Sequence, residues 1–219
     1  MPVTYLKTAP GLPPEGAADI KDTVQIMLAR LRAGGEEAAR DYARRLDGWQ
    51  QEVVVPEASL ARAHRALPVT LVEDIAYAHA NIRAFAEAQR GSVQEFEVEL
   101  RPGVHLGHRN IPLQRAGCYV PGGRYPLLSA PVMTLVPAAV AGCEEVIACL
   151  PPTAHEAMIA GCHLSGAHRI FRIGGAQAIA AMAFGTETVP PVDKIVGPGN
   201  AFVNEAKRQV FGPVGIDQL

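Results

Sequence analysis

The stretch Arg169–Asn200, RIFRIGGAQAIAAMAFGTETVPPVDKIVGPGN, decides the architecture. Arg169–Ile173 and Lys194–Val196 are short, β-branched runs that read as strands. Between them, Gln177–Phe184 reads as an apolar helix stopped by Gly185. The pattern is already present upstream, where the strand Val146–Leu150 is followed by a helix over Ala154–Ser165 that stops at Gly166. Val146, Ile170 and Ile195 are evenly spaced along the chain. Even spacing fits two successive strand–helix–strand units, and hence a parallel sheet with right-handed crossovers.

A glycine-rich turn closes three of these strands. The turns are Tyr119-Val120-Pro121-Gly122-Gly123 after Gly117–Val120, Gly174-Gly175-Ala176-Gln177 after Arg169–Ile173, and Gly197-Pro198-Gly199-Asn200 after Lys194–Val196. The second and third lead directly into helices, Gln177–Phe184 and Ala201–Val210. The first reaches one only around Pro131, in the apolar run Pro131–Ala141. Open α/β sheets bind ligands outside the carboxyl ends of their strands. Glycine there lets backbone N–H groups approach a ligand, and a helix N-terminus behind the turn favours anions such as phosphate. The chain therefore marks one sheet edge as a nucleotide-type site. Neither GxGxxG nor the P-loop pattern is present, so any nucleotide is held in another way.

Polar residues within the turns are the candidate contacts. Gln177 opens its helix with amide donors and a carbonyl. Asn200 is placed either to meet a ligand or to cap the following helix. Tyr119 is placed either to stack on a base or ribose or to fill the core. Arg115 and Arg124 flank the first turn as candidate phosphate contacts.

The first part of the chain has another character. Thr23–Arg32 is amphipathic and stops at Gly34-Gly35, and Glu36–Leu46 resumes with Arg44-Arg45 in its last turn. Pro56 and Pro68 each precede a helical pattern. In the second, Thr70–Gln89, Leu71, Ile75, Ala78, Ile82 and Phe85 recur at helical spacing. Gln94–Leu100 then alternates as a half-buried strand, and Val104–Asn110 follows the turn Arg101-Pro102-Gly103. We divide the chain near Gly91, into a helical N-terminal segment over residues 1–90 and an α/β region over 91–219. The fold class is α/β, a helical segment followed by a Rossmann-like open parallel sheet with helices on both faces.

With 219 residues, 48% hydrophobic, the chain is large enough for a substantial core. A net charge of −2 without a Lys/Arg cluster argues against nucleic acid as a partner. No apolar run is long enough to span a membrane, and MPVTYLKTAPGLPPEG lacks the pattern of a signal peptide. Cys118, Cys143, Cys149 and Cys162 show no CxxC pair, which fits buried, reduced thiols and a cytoplasmic location. His105 and His108, three apart on a strand, point to opposite faces and do not make a metal pair. Cys162-His163 and His168 read as packing or surface positions, His155 as an exposed residue near a helix start. Glu144-Glu145 reads as a solvated turn. Asp193-Lys194 reads as a surface pair or the start of a strand. No nucleophile-plus-base arrangement is visible. From its residues alone, the chain offers a binding edge without catalytic machinery.

The three turns, with Ala138–Cys143, Gly174–Ala181, Val192–Val203 and Glu205–Arg208, resemble histidinol dehydrogenases. The resemblance implies a homodimeric enzyme that oxidises L-histidinol to L-histidine with NAD and a bound zinc ion. By position in the motifs, Tyr119, Gln177 and Asn200 match the family's NAD-contacting residues. The zinc ligands and the catalytic Glu-His pair of the family lie beyond Gly215–Leu219, past an Ala-Gly-Pro-Ser-Glu motif. The resemblance therefore assigns no catalytic or metal residue here. It leads us to expect a fragment carrying the NAD-binding half, inactive alone, with apolar surface left bare on Thr70–Gln89 and on the last helix. Two alternatives are a family dehydrogenase acting on another small alcohol, and a short form that binds a nucleotide or a partner without chemistry.

Overall fold

The computed structural model describes residues 16–122 and 126–218. Gly123 and Arg124 of the first glycine turn, and nearly all of the N-terminal stretch read above, lie outside the described residues.

Five parallel strands form the centre: β3 (Arg115–Tyr119), β4 (Glu145–Leu150), β5 (Arg169–Arg172), β6 (Lys194–Val196) and β7 (Gly215–Ile216). Their spatial order is β5-β4-β3-β6-β7. The chain winds outward from β3 through β4 to β5. It then crosses back to lay β6 on the other side of β3. The even spacing of Val146, Ile170 and Ile195 thus does not mean three neighbouring strands, because β4 and β3 lie between β5 and β6. This reversal creates a switch point between β3 and β6, where open α/β sheets hold their ligands.

Both faces of the sheet are covered. Along β4, Ile147 and Cys149 join α1 (Gly16–Asp47), α6 (Gly175–Phe184) and α7 (Ala201–Val210) in one core. Val146, Ala148 and Leu150 alternate to the opposite face, towards α4 (Ser129–Val140) and α5 (Glu156–Leu164). Phe171, Ile147 and Leu150 are fully buried. Burial of each contributes about 1.5–3 kcal/mol. Helix α2 (Glu57–Ala66) packs on α5, and α3 (Val69–Gly91) on α4.

In α1, Val24, Met27, Leu28 and Leu31 recur at helical spacing on the buried stripe, and the helix kinks at Gly35 (φ 48°). Pro56 and Pro68 stand at the N-caps of α2 and α3. After α1 the chain runs along the outer edge of β5. There Arg172 N–H donates to the Val53 carbonyl and Val55 N–H to that of Ile170. That edge is therefore paired rather than open.

The antiparallel hairpin β1 (Phe96–Arg101) and β2 (Val104–His108) stands apart from the sheet, and all of its residues are exposed. Phe96, Val98 and Leu106 are among its bare apolar side chains. On the last helix, α1 and α6 cover the inward face and bury Val203, Ala206 and Val210, while Phe202 stays exposed, so α7 carries part of the expected bare apolar surface. On α3, Tyr77 and Phe85 are exposed. The stripe facing α4 runs through Leu71, Ile75, Ala78 and Ile82 to Ala86, four residues beyond Ile82, rather than to Phe85.

Candidate functional site: the carboxyl edge of the sheet

Tyr119, the last residue of β3, ties the three glycine turns together. Its hydroxyl accepts the Gly175 N–H at 3.1 Å, which fixes the second turn to the first. Its carbonyl lies against Gly197 of the third turn, so closely that a Cβ there would collide with it. Gly197 has φ +120°, which glycine alone adopts without strain. At the end of β4, Pro151 packs against Gly122 on one side and Gly174 on the other, where even a Cβ would be too much. The turns after β3, β5 and β6 therefore converge on one edge.

Burial separates the three candidate residues. Tyr119 is 4% exposed and Gln177 is 2% exposed, whereas Asn200 is exposed. Burial pushes the Tyr119 phenol above its ordinary range, opposed by its bond to Gly175, so it stays neutral. Gln177 folds back over Gly175 and donates from Nε2 to Asp47 Oδ2 at 3.2 Å. Asn200 caps α7, its Oδ1 accepting the Val203 N–H at 3.1 Å. Gly174 at the N-cap of α6 supplies no side-chain cap, so the first turn of α6 retains backbone donors at the edge.

Three residues that the sequence reading passed over belong to this edge. Asp47 arrives from the end of α1 and holds Gln177. Lys207 on α7 and Asp217 after β7 bond to one another beside the third turn. Nothing local in the sequence signals Asp47, but a lysine in the apolar pattern of α7 is a visible anomaly. Lys207 is 1% exposed.

Other readings need correction. Arg115 is the first residue of β3 and lies at the opposite, amino end of the sheet. It bonds to Glu145 and donates to the Pro191 carbonyl, so it is no phosphate contact of the glycine turns. Glu145 is not part of a solvated turn. It opens β4, clasped by Arg115 and Arg169. Asp193-Lys194, by contrast, is the start of a strand as one of its two readings has it: Lys194 opens β6, and Asp193 accepts the Arg115 N–H at 2.7 Å.

All four cysteines are free, and all but Cys143 are buried. Burial pushes the Cys118 thiol up to about 12 and raises Cys149 and Cys162 further, which makes them inert core groups. His105 lies beside Glu97 and Glu99, while His108 meets the Phe96 ring. His155 caps α5, its Nδ1 accepting the Ala157 N–H. No group of three or more His, Cys, Asp or Glu side chains among the described residues is placed to hold a metal ion. No described helix is long and apolar enough to cross a membrane.

Comparison with known proteins converges on one family. The family model described as histidinol dehydrogenase matches residues 13–219. A histidinol dehydrogenase homolog of Ruegeria pomeroyi is 54% identical over 100% of this chain and 52% of its own length. A sulfopropanediol 3-dehydrogenase of the same organism is 42% identical over 100% of the chain and 51% of its own. The crystal structure of histidinol dehydrogenase from Elizabethkingia anophelis superposes with a TM-score of 0.87 at 31% identity, covering 94% of this chain and 48% of that one. The chain spans about half the length of the curated relatives it matches.

Proposed function

The chain belongs to the histidinol dehydrogenase family, and from that premise we propose that its carboxyl edge holds NAD for the oxidation of L-histidinol to L-histidine. What carries the reading is the convergence of three glycine turns on Tyr119 at the switch point between β3 and β6. The N-terminus of α6, which Gly174 leaves without a side-chain cap, would hold the dinucleotide pyrophosphate. Tyr119 and Gln177 shape the wall of the site from beneath, and Asn200 meets the cofactor from its exposed position at the start of α7. When bound, NAD accepts the hydride. The residues of this chain bind and orient it.

Zinc is a different matter. The described residues offer no set of donors for it.

A second reading concerns the alcohol. A relative 42% identical is named for sulfopropanediol, so a family dehydrogenase acting on another small alcohol is the alternative. The family resemblance also supports a homodimer and a cytoplasmic location.

The test is calorimetric titration of the purified 219-residue chain with NAD, followed by assay of NADH formation from L-histidinol and from sulfopropanediol with zinc added. Saturable NAD binding that Asn200→Ala weakens is the expected result. Absence of binding removes the cofactor reading. Turnover by this chain alone removes the assignment of its role to binding.

A further inference from the structure

Lys207 is a charged residue at a depth where charges are costly. Its side chain is 2% exposed, on the face of α7 that packs inward with Val203, Ala206 and Val210. Long helical side chains lean towards the N-terminus of their helix, and this one reaches back beyond the start of α7. Its Nζ donates to the Gly197 carbonyl at 3.1 Å and to Asp217 Oδ1. The second oxygen of Asp217, Oδ2, accepts the Gly197 N–H at 2.8 Å. A closed ring results, from Gly197 N–H to Asp217, to Lys207, and back to the Gly197 carbonyl. Both polar groups of one residue are held by one ion pair, and that residue lies against Tyr119.

An ion pair with one deeply buried partner is a poor source of net stability, because the desolvation of Lys207 offsets most of the attraction. What it supplies is direction. Pro198 has no N–H, so after Gly197 the next backbone donors of the turn are those of Gly199 and Asn200. Their aim depends on how the Gly197 peptide groups are turned. The pair also lines an open cavity of about 540 Å³ with Ser129, Thr134, Gly199 and Asn204, beside the third turn. Burial pushes the Asp217 carboxyl up, but Lys207 and the Gly197 N–H together hold it below its ordinary range, so the carboxyl is ionised at neutral pH.

We infer that Lys207 and Asp217 are a pair of positioning residues that clamp both peptide groups of Gly197 and so orient the third glycine turn for its ligand. The inference rests on the cofactor reading for the identity of that ligand, but not for the clamp itself.

The test removes both charges at once. In the full 219-residue chain, Lys207→Met with Asp217→Leu leaves no orphaned buried charge and is expected to fold with a lowered melting temperature, because the Gly197 N–H and carbonyl lose their partners. Hydrogen exchange of the Gly197 amide, followed by nuclear magnetic resonance, is expected to accelerate at least about tenfold, and NAD affinity to fall by about tenfold, as loss of buried hydrogen bonds implies. If the double variant does not fold, Asp217→Ala replaces it with the same two readouts. It removes the acceptor of the Gly197 N–H and leaves Lys207 its bond to the Gly197 carbonyl. Unchanged protection of Gly197 overturns the clamp. Altered protection with unchanged NAD affinity, in a chain whose wild type binds NAD, overturns its role for the ligand. If the wild type binds no NAD, the cofactor reading falls, and exchange at Gly197 alone decides for or against the clamp.

Discussion

Gln177 Nε2 donates to Asp47 Oδ2 at 3.2 Å, a bond between residues 130 positions apart. It joins the last residue of α1 to the first turn of α6. The amide that the sequence marks as a ligand contact is therefore also a structural link, and its orientation is set before any ligand arrives. Tyr119 does the same for the second turn through Gly175. Pre-set groups of this kind lower the ordering cost of binding.

Asp47 carries a penalty for its place. Burial lifts its carboxyl above the ordinary value of 3.8, more than the bond from Gln177 lowers it. A carboxyl raised in the folded state favours folding when protonated. That contribution is lost as pH rises through the folded value, so at neutral pH the ionised group disfavours the fold. Asp47→Asn keeps a carbonyl acceptor for Gln177 and removes the charge. Its melting temperature at neutral pH is expected to equal or exceed that of the wild type, with the difference shrinking as acid protonates Asp47. Thermal denaturation across pH checks this, and a lower melting temperature at neutral pH contradicts it.

What the sequence reveals here, and what it hides, divides along physical lines. Strand–turn–helix order is written locally in apolar runs and glycines, so β4, α5, β5, α6 and β6 can be read directly. The partner of a strand is not written locally, which is why the reversal between β5 and β6 escapes an argument from even spacing. Arg115 looks close to the first glycine turn in sequence. At about 3.3 Å per residue, a short strand still carries it to the far end of the sheet. Glu144-Glu145 looks the same in sequence whether solvated or clasped, since the arginines that decide it come from β3 and β5. The place of Tyr119, Gln177 and Asn200 at the carboxyl edge is legible because each sits inside a turn. Asp47 was not, because only the tertiary fold brings α1 to that edge.

Glu145 supplies a prediction at the amino end of the sheet. One oxygen takes the Arg115 side chain from β3 and the other accepts from Arg169 Nε of β5 at 2.7 Å, so one carboxylate binds three strands. Desolvation pushes its carboxyl up, but the bonds and charges of the two arginines prevail and hold it below 4.5. A depressed carboxyl contributes stability that is present above its unfolded value and lost as pH falls through its folded one. Glu145→Gln is expected to lower stability at neutral pH by about 2 kcal/mol, the scale of hydrogen bonds to charged groups. Urea denaturation at neutral pH measures the loss. Repeating it below 4.5, where the wild type loses the same contribution, should bring the two proteins together. A constant difference across that range contradicts the assignment.

The contact between α2 and α5 provides a prediction on the opposite side of neutrality. His64 Nε2 and His163 Nδ1 are 2.7 Å apart, with the rings edge to face. Such a bond has one proton between two nitrogens and needs at least one neutral ring. Burial, and then the charge of His163, lowers the His64 value below 6.5. The nearby charges on the same two helices, Arg62 and Glu156, lie 3.8 Å apart and face each other. A histidine with a depressed value contributes stability that is complete above its unfolded value, and protonation removes it as pH falls. Lowering the pH from about 7 to about 5, the range in which histidine changes charge, should therefore loosen α2 from α5. Replacing the ring by a neutral amide, His64→Gln, costs the contact at neutral pH but removes its titration. The melting temperature of the wild type should then fall faster with acid than that of the variant. Parallel curves would mean that the histidine pair does not govern the contact.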